Sequence, residues 1–560
     1  MIPLRLTPYS LLLLLLTLPY LGTAQALMDG NQSEWSATTL IADEPGDVSG
    51  SELDIQRVHV TDDEDFVYFM VELDREINLD EEQDLTLYID ADLNADTGFF
   101  TQGIGTELTY FFAERFGFSE VDGTVNHDDL DLFIAPTVSS TWYEFALSKD
   151  SPGLDLTEST QLRCVITNGG GSSDRVGPFD YTMQGIPAPD LEFSFDRVPT
   201  ADFRIVSYNV KFDGWFEPQT EDDQRNLIKA LQPDIIAFQE IYDHSIQEIE
   251  QSLDEILPSQ SGWNTIHNWS DVFVYTTHEV IGTESVDGNE VSLLKVNGEP
   301  LLIVNVHLPC CENDQGRQEE IDRILSLLRD RNTNGNLTFD FDQSTPTIIT
   351  GDFNLVGDSQ QYESLLSGDI IFNSTFGPDV MLDSDGSGLT DANLLQPHLP
   401  SNHTWYNQFS SFAPGKLDLF FYTDTSLSLE NGFVMNSEGL ANSILQEYNL
   451  SRQSTHNASD HIPIVGDFKF EVTVSTSNIM DDEIRIHPNP ASQSITISLV
   501  NTEEVHSLNL YDLQGRQLDV PVTRDQQSVS IDISQLAAGL YSLKVITENQ
   551  FITKSVVVQE

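Results

Sequence analysis

The sequence predicts an α/β sandwich set between two all-β regions, and three observations carry that prediction. Between residues 202 and 470 short apolar strands alternate with amphipathic helical stretches. Residues 27–185 and 483–560 instead carry strand-length alternating runs punctuated by Asp, Gly and Asn. Polar stretches at 186–201, with Pro187 and Pro189, and at 471–482, ending in Asp481-Asp482, read as linkers between the three. A chain of 560 residues fits this number of domains.

Composition narrows the function classes. There are 91 acidic residues against 25 basic ones, a formal net charge of −66. Such a surface repels polyanions and anionic lipid except where a local patch or cation intervenes. No stretch carries the basic footprint of a nucleic-acid-binding face. This argues against tight non-specific binding of long DNA, and leaves room for a metal-dependent nuclease with a small contact area. Three cysteines, Cys164, Cys310 and Cys311, do not make a disulfide framework. The vicinal pair could close a local disulfide or stay reduced.

Residues 1–26 combine Arg5, an apolar run from Leu11 to Leu16 and on to Leu21, and an Ala24-Gln25-Ala26 cleavage box. This is the pattern of a secretory signal peptide, and no later run is long enough to span a membrane. In the first β region the strands are expected at 67–73, 85–90, 107–116 and 142–147. Asp90, Asp92, Asn94 and Asp96 alternate through a turn ending at Gly98. Oxygen ligands at every second position suit a Ca²⁺ loop, and a solvated acidic turn is the alternative; no EF-hand Glu closes it. The segments MDGNQSEW and YIDADLNADTGF resemble the secreted β-sandwiches of the family-9-like carbohydrate-binding modules.

In the central region FRIVSYNV (203–210) reads as a buried strand. EDDQRNLIKALQ (221–232) carries Leu227, Ile228 and Leu231 at helical spacing, and PDIIAFQE (233–240) is the next strand. LLIVNVHL (301–308) follows, then a helix over 317–331 with Ile321, Ile324, Leu325 and Leu328 on one stripe. Thr347–Thr350, KLDLFFYT (416–423) and HIPIVGDFKF (461–470) complete the strands. The last region carries HPNPAS (487–492), LYDLQGR (510–516), LAAGLYSLKV (536–545) and Lys554. These pieces, in this order, resemble the type A C-terminal sorting domain of the type IX secretion system. The resemblance implies recognition by that machinery at the outer membrane.

Chemistry concentrates where the central strands stop. In TGDFN, Gly351 lets the backbone approach its neighbours, and Asp352 and Asn354 point the same way roughly 6–7 Å apart. Alone, this could be an Asx turn. Asn209, Glu240, His307 and the pair Asp460-His461 also mark strand ends, and Asp418 sits within KLDLFF, where a carboxylate needs a partner. Six such events are hard to attribute to chance, and binding crevices form at strand ends of this kind.

The order N…QE…H…GDFN…LD…SDH over residues 202–470 resembles the endonuclease/exonuclease/phosphatase superfamily, which includes deoxyribonuclease I. The resemblance implies a four-layered α/β sandwich, deoxyribonuclease I-like, flanked by two β-sandwich domains, with the site on top of two packed sheets. It also implies a phosphoester substrate and Mg²⁺ or Mn²⁺. Glu240 would be the carboxylate ligand, with Asn209 in the metal's shell and Asp460 a second carboxylate. His461 would be the general base oriented by Asp418, and Asp352 would position the water. Asn354 would donate to a phosphoryl oxygen and His307 would bind the phosphate or assist the leaving group. Lys211 stands where some relatives carry an acid, and Asp213 lies beyond it. Trp405 could stack on a base or pack. The expected activity is that of a secreted nuclease or phosphodiesterase acting on nucleic acid. A sphingomyelinase- or phosphatase-like enzyme, or a catalytically idle surface-binding protein, are the alternatives.

Overall fold

The computed structural model describes residues 26–471 apart from 43–44, 49–51, 82, 172, 190, 192, 267–270 and 332–337, and 484–559 apart from 500–506, 512–516, 519, 525–527, 538 and 547–550. The expected signal peptide, the second linker and part of LYDLQGR therefore lie outside the described residues. The chain forms two compact units, 1–471 and 472–560.

In the first unit, two antiparallel sheets of five and six strands enclose one core before residue 183. Alternation explains why. In Phe66–Ile77, Val67, Phe69 and Val71 point to this core, while Tyr68 and Met70 face a second apolar cluster. Cys164 is buried in the core between the sheets, away from the other two cysteines. The expected strand 107–116 is instead a hairpin, Leu108–Phe111 and Phe116–Ser119, reversed through Arg115 at a φ of 58°.

The central region has two six-stranded mixed sheets. One runs Asn264–Ile266, Phe273–Thr276, Ile235–Gln239, Phe203–Asn209, Ile464–Phe470, Leu427–Val434. The other runs Glu279–Val286, Asn289–Val296, Glu299–His307, Thr347–Asp352, Asp418–Tyr422, Thr390–Asp391. Phe203, Ile205, Ile235 and Val274 of the first meet Leu294, Ile303, Ile348 and Phe420 of the second. Helices close the outer faces. Leu227, Ile228 and Leu231 of Glu221–Leu231 and Ile249 and Leu253 of Ile246–Ile256 cover one sheet. Ile321, Ile324, Leu325 and Leu328 of Asp314–Asp330 cover the other. Both stripes are those that helical periodicity predicts.

The expected linker at 186–201 is packed rather than loose. Phe193 and Phe195 lie against the outer core, and Asn431 bonds the Ser194 backbone. Arg204 and Asp467, both buried, form a two-pronged ion pair at 2.6 and 2.8 Å, and Arg204 also donates to the carbonyls of Phe195 and Leu231. The two halves of this unit share backbone pairing: Met28 bridges to Ser401, and Ser139 N–H donates to the Gly357 carbonyl.

The second unit is two four-stranded antiparallel sheets around Ile495, Ile497, Leu510, Ile531, Leu543 and Val556. Among the described residues no helix is long and apolar enough to cross a membrane.

Candidate active site

Strand direction gathers the polar strand ends. Phe203–Asn209 and Ile235–Gln239 are parallel with Asn209 opposite Gln239, so Asn209 and Glu240 leave the sheet at the same edge. In the facing sheet His307 stands opposite Asp352, and Asp352 opposite Asp418. The antiparallel strand Ile464–Phe470 begins at this same edge, which puts His461 there too.

Gly351 makes the close approach possible. Its φ is +133°, and a Cβ there would meet the Val306 carbonyl oxygen at 2.0 Å. Beyond Asn209 the chain turns through Lys211, Phe212 and Asp213, all with φ between 48° and 60°, and Glu240 has a φ of 63°. Non-glycine residues seldom adopt this conformation and cluster at functional sites when they do. Here it points the Phe212 N–H at Glu240 Oε2, at 2.9 Å.

Glu240, Asp352 and His461 each offer a ligand atom within 4.8 Å of the others. Asn209 Nδ2 donates to Glu240 Oε1 at 2.9 Å and to Asp352 Oδ2 at 3.0 Å. Its Oδ1 accepts from the Lys211 N–H. Expected in the metal's own shell, Asn209 instead presents its nitrogen, because two facing carboxylates need a donor between them. Asp460 departs further from expectation. It is outside this group, and its carboxylate pairs with Lys211 Nζ at 2.9 Å. The lysine at the position of an acid in some relatives thus pairs with Asp460, and the carboxylate that lies beside Glu240 is that of Asp352. Asp213 does not replace the missing acid: its carboxylate accepts the Tyr242 and Asp243 amides.

His461 Nδ1 is 2.9 Å from Asp418 Oδ2, and its Nε2 is 3.6 Å from Asp352 Oδ2. Asp418 is the first residue of its strand rather than an internal one, and the Thr404 hydroxyl accepts its N–H. Burial disfavours the charged imidazole, but Asp418 and Asp352 outweigh it and hold the His461 pKa up at about 10. His307 is likewise pushed up to about 9, burial being overcome by Asp271, Asp352 and Glu240. Its Nε2 is 3.7 Å from Asp352 and 3.9 Å from Glu240. Asn354 keeps its backbone bond to Asp352, while Nδ2 donates to the Leu308 carbonyl at 3.0 Å. Trp405 is placed by backbone bridges to Gly415 and His461.

Asp271, not anticipated, is hydrogen-bonded to His307 Nδ1. Its signal was present, since it stands before VFVYT as Asp460 stands before the next strand segment. Ser459 also escaped notice: its hydroxyl donates to the Asn209 carbonyl and accepts the His461 N–H. Cys310 and Cys311 are exposed, with sulfurs 2.7 Å apart. A cleft of about 640 Å³ opens beside Lys211 and Asp460, between the two halves of the unit, lined by His127, Asp128, Asp131, Tyr406, Phe409 and His456 among others.

Residues 206–461 match the family model described as Endonuclease/Exonuclease/phosphatase family. The central region is an endonuclease/exonuclease/phosphatase domain. Domains of this family act on phosphoesters and are generally dependent on divalent metals. Residues 485–559 match the model described as Secretion system C-terminal sorting domain, which supports secretion or cell-surface display by the type IX machinery. No curated protein matches the sequence. Solved structures similar to the phosphoesterase domain include D. rerio TDP2 complexed with single-strand DNA product (16% identity, TM-score 0.32, 48% of this chain and 98% of that one). The human Nocturnin catalytic domain with bound sulfate is 17% identical (TM-score 0.32, 49% and 97%). A family protein from Leptotrichia buccalis C-1013-b is 17% identical (TM-score 0.30, 48% and 99%).

Proposed function

We propose that the protein is a secreted, divalent-metal-dependent phosphodiesterase, an extracellular nuclease acting on short or singly engaged nucleic-acid phosphodiesters. The observation that carries this reading is the meeting of Glu240, Asp352 and His461 within 4.8 Å, with Asn209 holding the two carboxylates together.

The donor set fits a hard cation. Glu240 and Asp352 supply carboxylate oxygens at a partly open strand edge, and Mg²⁺ or Mn²⁺ takes oxygen ligands. Such an ion polarises the phosphoryl group and offsets charge on the departing oxygen. The chain's own residues supply the rest. Asp418 fixes His461 so that Nε2 faces Asp352; a cation held by Glu240 and Asp352 would offset the carboxylate charge that raises the imidazole, leaving Nε2 to take a proton from a water held between the two. Protonated His307, held by Asp271, presents Nε2 to the phosphoryl oxygens or the leaving group. Asn354 retains one amide proton for a non-bridging oxygen.

The preference for limited contact comes from charge. Asp128, Asp131 and Glu438 line the adjoining cleft, where Lys211 is paired with Asp460, so a long polyanion finds repulsion there rather than a phosphate track. The β region before residue 183 suits a flanking β-sandwich of carbohydrate-binding type, and the C-terminal unit a sorting sandwich.

The test is a hydrolysis panel with Mg²⁺ or Mn²⁺: plasmid DNA, RNA, short oligonucleotides, sphingomyelin and bis-p-nitrophenyl phosphate. Activity on oligonucleotides and the small diester, lost in His461→Ala and Glu240→Ala, is expected. Full activity in both variants would refute the mechanism, and activity confined to sphingomyelin would refute the nuclease reading.

A further inference from the structure

The N-terminal half contains a second convergence of carboxylates, far from phosphoester chemistry in the sequence. Strand Thr86–Asp90 pairs with Leu108–Phe111, Ile89 opposite Leu108, which brings Glu107 beside Asp90. Asp92 follows two residues on. Ligand atoms of Asp90, Asp92 and Glu107 all lie within 4.8 Å of one another.

An acidic cluster alone means little, but Asp90 does not behave as a surface acid. It is 0% exposed, and among the described residues neither carboxylate oxygen has a hydrogen-bond partner. Glu107 Oε1 is likewise buried and unpartnered, while its Oε2 accepts the Ala91 N–H at 2.7 Å. Asp92 accepts the Thr97 hydroxyl. Both oxygens of Asp90 and Oε1 of Glu107 thus lie buried beside Asp92 with no side-chain donor bonded to them. Native proteins seldom leave a buried polar group unpaired, and a buried carboxylate is costlier still. Arg163 stands across the sheet from Asp90 but is committed to Asp180 through two hydrogen bonds, at 2.6 and 2.9 Å.

We infer that Asp90, Asp92 and Glu107 form a Ca²⁺ site that locks the turn at residues 90–98 to the hairpin Phe99–Thr106. Three carboxylates gathered from an irregular turn and a hairpin suit Ca²⁺, which takes many oxygen ligands in flexible geometry, better than Mg²⁺, which demands a near-ideal octahedron and keeps most of its waters. The ligand set is not the alternating one that the spacing suggests. Asn94 spends its side-chain oxygen on the Asp96 N–H, a local turn, and Asp96 stays outside the group. Glu107, distant in sequence, takes their place. Gly98 belongs to the design: its φ is +61°, and a Cβ there would meet Glu107 Oε1 at 2.8 Å and the Thr106 carbonyl oxygen at 2.3 Å.

The experiment is calorimetric titration of metal-stripped, full-length protein with Ca²⁺ alone, and separately with Mg²⁺. Thermal unfolding is recorded alongside. Glu240→Gln identifies any Ca²⁺ taken by the phosphoesterase site. Expected is one Ca²⁺ equivalent that survives Glu240→Gln and is lost, or weakened at least about tenfold, in Asp92→Asn and Glu107→Gln. About 5 mM Ca²⁺ should raise the first unfolding midpoint by on the order of 5 °C. Asp90→Asn should abolish that shift while raising the midpoint measured in chelator, because it removes an unpaired buried charge. Asp92, which is exposed, provides a variant that does not disturb the core. Absence of binding at millimolar Ca²⁺, loss of all bound Ca²⁺ in Glu240→Gln alone, or an equal response to Mg²⁺ would each overturn the assignment.

Discussion

Asp418→Asn separates charge from shape at the proposed catalytic pair. Asp418 is buried, with Oδ2 2.9 Å from His461 Nδ1, and its backbone is fixed by the Thr404 hydroxyl. The amide is nearly isosteric, so the fold should persist. If its oxygen still accepts from Nδ1, a charge-assisted bond becomes a neutral one. That loses about 1–2 kcal/mol of imidazolium stabilisation, roughly tenfold in rate at about 1.4 kcal/mol per decade. If its NH₂ turns toward the ring, Nδ1 must accept, the proton moves to Nε2, and the base is lost, which costs on the order of 10³–10⁴. The expected fall in kcat therefore lies between about 10 and 10⁴ at saturating Mg²⁺ or Mn²⁺, with KM little changed. The assay is hydrolysis of bis-p-nitrophenyl phosphate, with circular dichroism confirming the fold. A variant within about twofold of wild type would refute the role given to the Asp418–His461 pair.

Glu240→Gln should shift the metal-activation curve at least about tenfold toward higher concentration, whereas His461→Ala should lower the rate at saturating metal without that shift; a metal titration of initial rates checks both. Arg204→Met should destabilise the first unit by about 3–5 kcal/mol, because it strands the Asp467 carboxylate in the core, and denaturant unfolding of the double variant with Asp467→Leu should recover much of the loss. Glu144 is buried against Trp35 Nε1 and the Gly30 N–H, and burial pushes its carboxyl up to about 8 from 4.5. A raised carboxyl favours the folded state while protonated. Its contribution is therefore full below about pH 4.5 and is lost as pH rises through about 8, a swing of about 2–5 kcal/mol that Glu144→Gln should flatten in melts between pH 5 and 8.5.

What could be read from the sequence was whatever is local. The helical stripes at Leu227, Ile228, Leu231 and at Ile321–Leu328 face the cores that their spacing predicts. Asn209, Glu240, His307, Asp352 and His461 stand at the same end of the two facing sheets because each ends or precedes an apolar strand, a local event. The partnerships were not legible, since they depend on which strands become neighbours. Lys211 and Asp460 are 249 residues apart, and only the folded chain reveals that they pair. Glu107 reaches Asp90 through a strand pairing for the same reason. Asp271 and the hairpin at Val286–Asn289 were available locally. Asp287-Gly288 is a two-residue turn with both φ positive, between strands too mixed in polarity to stand out.

The join between the halves of the first unit bears on how the proposed active site is held. Tyr406 adjoins Trp405, whose backbone meets His461, and the Tyr406 hydroxyl is bonded to Asp128 of the N-terminal half; His127 meets the Ser410 carbonyl on the same loop. The N-terminal half thus supplies side chains that hold the 403–415 loop in place behind His461. A fragment beginning at residue 202 would keep every proposed catalytic side chain and lack the mould in which the loop behind His461 is set.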